Sequence, residues 1–129
     1  MKIANCKLQI GVAAAALLLG AVGLASHAVH AQQKVVIAYI SDISGTYGDL
    51  EGKGGADAIQ MAIDDMGGKV LGQPVEVVVA DHQNKPDIAA SKAREWIDTG
   101  GATLVFGGTN SGTALAMAKI AQEKKRIFV

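Results

Sequence analysis

The feature that most constrains this chain is an alternation, from Lys34 onward, of short apolar runs with segments of helical periodicity. "KVVIAYI" (residues 34–40) is a β-branched apolar run of strand length, and residues 75–80 of "LGQPVEVVVADHQ" form a second, entered through the turn residues Gly72 and Pro74. "ATLVFGG" supplies a third, and "RIFV" opens a fourth at the end of the chain. Between them, Ala58, Ile59, Ala62, Ile63 and Met66 recur at helical spacing before the stop at Gly67 and Gly68. In the next helical segment Pro86 falls in the first turn, and Ala89, Ala90, Ala93, Trp96 and Ile97 share one face ahead of Gly100 and Gly101. "SGTALAMAKIAQEKK" is the third helix. Continuously apolar strands imply a sheet covered on both faces, and strand–helix alternation with short connections implies parallel strands. The expected fold is α/β: an open, doubly wound parallel sheet of flavodoxin-like order, its first and third strands adjacent. Because the chain stops within an apolar strand, it reads as the N-terminal part of something longer.

The first 31 residues stand outside that fold. "MKIANCKLQ" carries Lys2 and Lys7, "IGVAAAALLLGAVGLA" is apolar throughout, and "SHAVHA" places Val29 and Ala31 as small residues before Gln32. A basic start, a short apolar run and a small-x-small site make a secretory leader cleaved after Ala31. The apolar run is short for a membrane span, which needs about 20 residues. Without the leader, Lys2 and Lys7 leave the twelve basic residues while all twelve acidic residues stay, a net charge of −2 and no footprint for nucleic acid. Cys6, His27 and His30 leave too, so His82 is the one His or Cys remaining, which excludes a zinc site and Cys–His catalysis. Residues 32–129 are one small domain.

In an open α/β sheet, ligands bind beyond the carboxyl ends of the strands. Two loops there have the composition of a site: "SDISGTYGDLEGKGG" (residues 41–55), with Tyr47 as its aromatic, and "FGGTNSGTA" (residues 106–114). The second is a near-miss P-loop, since Gly112 stands before Thr113 where a lysine would reach a phosphate. A dinucleotide fingerprint fails because Asp57 replaces the third glycine after Gly52 and Gly54, and a nucleophile elbow fails because Ser111 is one place late. Asp64 and Asp65 are adjacent on a helix and read as solvated surface, Trp96 as core, and His82 as part of a polar turn after a strand. What remains is a cluster of hydroxyls and one amide, Thr109, Asn110, Ser111 and Thr113, at a helix start whose free N–H groups and dipole favour an anion. Capping of the helix by Asn110 or Ser111 and contact with a ligand are equally consistent with the loop. No cofactor is expected.

The order and spacing of "VVIAYISDISGTYGD", "GADAIQMAIDDMGGKVLGQPVEVVVADHQNKPDIAASKAREWID" and "VFGGTNSGTALAMAKIAQEKKRIFV" resemble the N-terminal lobe of periplasmic substrate-binding proteins of the branched-chain amino acid (Leu/Ile/Val-binding) type, which serve ABC transporters. The resemblance covers residues 34–129. It implies a type I periplasmic binding protein, truncated here, whose two lobes close over a ligand like a hinged clamp. It implies that Ser111 donates to the ligand carboxylate, with Asn110 and Thr109 in the same turn, and that Tyr47 packs near the ligand. It further implies a non-catalytic, monomeric protein that captures a small carboxylate (a branched-chain or other amino acid, or an aromatic acid) in the periplasm for an ABC permease, with no membrane insertion once the leader is removed. "SDISGTYGD" and "ADHQNKPDIAASKAREWID" are similar to members that take aromatic or other small carboxylic acids. A flavodoxin-like domain using the same loop for a nucleotide or phosphate is the alternative, as is a truncated product without autonomous function.

Overall fold

The computed structural model describes residues 33–129. The leader and its cleavage point after Ala31 lie outside the described residues. The elements run β1 (Val35–Ser41), α1 (Gly52–Asp65), β2 (Lys69–Val70), β3 (Gln73–Asp81), α2 (Pro86–Asp98), β4 (Ala102–Phe106), α3 (Ser111–Glu123) and β5 (Ile127–Phe128). They form one sheet of order β2-β3-β1-β4-β5. β1 is central, parallel to β3 from Val35↔Val75 to Ser41↔Asp81 and parallel to β4 on its other side. β4 in turn pairs in parallel with β5. β1 and β4 are the first and third strands read from the sequence, so their adjacency gives the flavodoxin-like order and brings both glycine-rich loops to one end of the sheet.

One edge departs from the expected all-parallel sheet. β2 pairs antiparallel with β3 through Lys69↔Pro74 and Val70↔Gln73. The turn residues Leu71 and Gly72 both take positive φ, 51° and 79°, the geometry of a two-residue hairpin turn. A two-residue strand carries no periodicity, which is why the sequence shows only a turn there.

Side chains alternate between the faces of a strand, and β1 uses both. Val36, Ala38 and Ile40 enter the main core with Ala89, Ala93 and Ile97 of α2 and Met117 and Ile120 of α3. The three α2 residues lie four apart, on one helix face. Trp96 packs against the rim of this core rather than inside it. On the opposite face Tyr39, 2% exposed, donates from its hydroxyl to the Glu51 carbonyl at 2.9 Å, which seats the start of α1. Gly55 permits that approach, because a Cβ there would lie 2.0 Å from the Tyr39 hydroxyl oxygen. The α1 stripe expected to be buried is used only in part: Ile63 is buried, but Ala58 and Ala62 are exposed and Met66 is 66% exposed. Among the described residues a single helix, α1, covers this face, and Val79 of β3 is 42% exposed beside it.

Candidate functional site

The loop after β1 is organised by carboxylates. Asp42, fully buried, accepts the amides of Gly45 at 2.8 Å and Tyr47 at 2.9 Å. Asp81, at the end of β3, accepts the Ser44 hydroxyl at 2.6 Å, the Ile43 amide at 3.0 Å and the Gln83 amide at 2.8 Å. Burial raises the Asp81 pKa, but the Ser44 hydroxyl and the amides of Gln83, Ile43 and Ser44 outweigh it and hold the carboxyl below its ordinary 3.8. These two aspartates stitch the loop to the ends of β1 and β3. Their signal in the sequence is an acid at each strand end, followed by glycine and serine or by turn residues, a pattern too common to single either out.

The loop after β4 is organised by glycine and by a cap. Gly107 has φ 141°, and a Cβ on it would lie 2.2 Å from the Ile40 carbonyl oxygen, so the chain crosses β1 closely enough to exclude any side chain. At the start of α3 the Asn110 side-chain oxygen accepts the amides of Gly112 at 2.7 Å and Thr113 at 3.3 Å. The Thr113 hydroxyl donates back to the Asn110 carbonyl at 2.8 Å, and its side chain is fully buried. The Asn110 side-chain oxygen and the Thr113 hydroxyl are therefore both used within the cap. Ser111 differs: it is exposed at the first position of α3, and its hydroxyl has no partner among the described residues. Thr109 is exposed as well, its amide donating to Glu51 Oε2 at 3.3 Å.

That last bond joins the two loops. Glu51 Oε1 also accepts the Asp42 amide, at a long 3.5 Å. Beneath the junction lies a cavity of about 470 Å³, walled by Tyr39, Leu50, Phe106 and Val129, with Glu51, Thr109 and the backbone of Gly55, Gly107 and Gly108 completing it. The rings of Tyr39 and Phe106 stand 6.0 Å apart at 39° and form its aromatic floor. Burial pushes the Tyr39 phenol above 10.0; the Ser41 hydroxyl offsets part of that and the Glu51 charge adds to it, so the group stays a neutral donor.

Of the five residues singled out from sequence, Thr109 lines this cavity, and Asn110, Ser111 and Thr113 follow it in the adjoining turn. Tyr47 is half-buried in the other loop, anchored by its amide to Asp42, and is not part of the cavity wall. His82 follows β3 in a polar turn, as expected, with its side chain fully buried and Nδ1 accepting the Asn84 amide at 3.0 Å. Tyr39, Glu51 and Phe106 were not singled out. Tyr39 and Phe106 fall at the carboxyl ends of β1 and β4, where this fold places ligands, and only the strand pairing shows that they meet. Among the described residues no group of three or more metal-ligating side chains occurs.

The cavity thus lies at the carboxyl ends of β1 and β4, where open α/β sheets place ligands. The family described as "Periplasmic binding protein" matches residues 34–129, and the chain belongs to that family. Among solved structures, a periplasmic binding protein from Burkholderia mallei is 61% identical with a TM-score of 0.72, over 74% of this chain and 25% of that one. A branched chain amino acid ABC transporter periplasmic ligand-binding protein from Burkholderia xenovorans is 47% identical with a TM-score of 0.71, over 74% of this chain and 25% of that one. An ABC transporter solute binding protein from R. palustris, in complex with 4-hydroxybenzoate, is 27% identical with a TM-score of 0.68, over 74% of this chain and 26% of that one. The chain thus spans about a quarter of the length of the solved structures it matches. Curated protein sequences gave no match.

Proposed function

We propose that this chain supplies one wall of a solute-binding site: it captures a small organic acid in the periplasm for delivery to an ABC permease and performs no chemistry on it. The observation that carries the reading is the division of labour at the start of α3. The Asn110 oxygen and the Thr113 hydroxyl serve the cap, which leaves the Ser111 hydroxyl, exposed two residues after the cavity-lining Thr109, to receive a carboxylate. The positive end of the helix dipole adds to that preference, by about 0.3–1 kcal/mol at an exposed site. The apolar walls, Tyr39, Phe106 and Leu50, suit an aliphatic or aromatic body rather than a phosphate, and no lysine stands where a phosphate-binding loop requires one. The related proteins from B. xenovorans and R. palustris support both halves of that ligand class. In this reading residues 1–31 are a cleaved leader, residues 32–129 are part of a first lobe, and the protein acts as a monomer.

Titration calorimetry of the full-length gene product with leucine and with 4-hydroxybenzoate tests the proposal. Saturable binding of at least one is expected. Binding of a nucleotide or of inorganic phosphate, with no response to either acid, would overturn it.

A further inference from the structure

The cavity contains one charged side chain, Glu51, and among the described residues lining it there is no basic group. A carboxylate in an otherwise apolar cavity repels a ligand carboxylate and attracts a hydrogen-bond donor. Glu51 is also weakly held by its own protein. Its two amide contacts measure 3.3 and 3.5 Å, at the limit of hydrogen bonding, whereas Asp42 a few residues away draws its two amides to 2.8 and 2.9 Å. The main chain of Glu51 is fixed nonetheless, since its carbonyl accepts both the Tyr39 hydroxyl at 2.9 Å and the Gly55 amide at 2.7 Å. A rigid backbone carrying a loosely satisfied carboxylate over an aromatic floor suits the side chain to a ligand's donor rather than to a structural tie.

We infer that Glu51 is a specificity-determining residue that selects ligands carrying a hydrogen-bond donor, an ammonium or a hydroxyl, besides their carboxylate. This rests on the reading that the crevice takes a small organic acid. The ligand is then held at two points of opposite character: its carboxylate toward Ser111 at the α3 turn, its donor on Glu51, and its apolar body against Tyr39 and Phe106. Simple acids without a donor leave the Glu51 carboxylate desolvated and unmatched and are rejected.

Two pairs of probes separate the possible donors: leucine against 4-methylpentanoate, and 4-hydroxybenzoate against benzoate. Their Kd values are measured on the full-length gene product, with unfolding midpoints as a check that each variant folds. The unsubstituted protein should favour the donor-bearing member by roughly tenfold or more in at least one pair. Glu51→Gln keeps one acceptor oxygen, enough for one of the Thr109 and Asp42 amides or for a ligand hydroxyl, but loses the charge. A preference for leucine should therefore fall by about tenfold, while a preference for 4-hydroxybenzoate changes by no more than about threefold. Glu51→Ala should abolish either preference. Equal affinities within both pairs for the unsubstituted protein, or ratios unchanged in both variants, would overturn the role of Glu51 while leaving the binding-protein reading intact. Failure of the unsubstituted protein to bind any of the four would remove that reading and this inference with it.

Discussion

The two loops at the ligand end of the sheet solve the same problem by opposite means. The loop after β1 turns its amides inward onto acids of the chain itself: its own Asp42 takes Gly45 and Tyr47, and Asp81 at the end of β3 takes Ile43. The loop after β4 has no acid between Phe106 and Ala114. Gly107 lets it pass over β1, the neutral Asn110 caps α3, and the Ser111 hydroxyl stays unspent. The first loop shows how this chain holds a carboxylate when the carboxylate is its own. The second keeps donors available, the Ser111 hydroxyl among them, and this asymmetry is why it is the better candidate for a ligand's carboxylate.

The comparison is broken most severely at Gly107. Gly107→Ala forces a Cβ to within 2.2 Å of the Ile40 carbonyl oxygen at a φ of 141°, so a loss of about 3 kcal/mol or more is expected in urea unfolding of the full-length gene product. A loss below about 1 kcal/mol would mean that the loop does not need this close passage. Asp42→Ala removes a buried carboxylate that holds the Gly45 and Tyr47 amides and should cost about 2 kcal/mol in the same assay. Asn110→Ala removes only a cap and should cost about 1 kcal/mol, while Asn110→Asp, which caps equally well, should restore stability and yet weaken acid binding by placing a negative charge beside Ser111.

Asp81 gives the smallest effect and the one with a pH signature. Its folded pKa lies below its ordinary 3.8, so the folded state favours the ionised form. The stability it contributes is present above the unfolded pKa and is lost as pH falls through the lowered folded value. Asp81→Asn should therefore lower the unfolding midpoint modestly at neutral pH and flatten its fall below about pH 4, so that the two proteins converge in acid. An unaltered acid limb would show that the Ser44 and Ile43 contacts do not hold the loop in solution.

Much of this arrangement could be read from the residues alone. Three apolar runs and their helices specify the sheet, and the spacing of Ala89, Ala93 and Ile97 identifies the core face of α2 because burial against a sheet demands that period. The turn of Thr109–Asn110–Ser111 was visible because hydroxyls and an amide at a helix start have few other uses. Less accessible was everything that depends on which strands touch. Tyr39 and Phe106 read as ordinary strand residues until β1 and β4 are placed side by side, and Glu51 reads as surface until the two loops meet. The half-covered stripe of α1 was overestimated for a related reason. Periodicity reports a helix with an apolar face, but not how much neighbouring structure lies over it.

The central claim is that Ser111 is kept free for a ligand carboxylate, and a single substitution tests it. Calorimetry of Ser111→Ala in the full-length gene product, against whichever acid the unsubstituted protein binds, should show affinity weakened by about 1–3 kcal/mol. Because Ser111 is exposed and caps nothing, the unfolding midpoint should move by no more than corresponds to about 0.5 kcal/mol. Unchanged affinity, or an affinity loss matched by an equal loss of stability, would contradict the account.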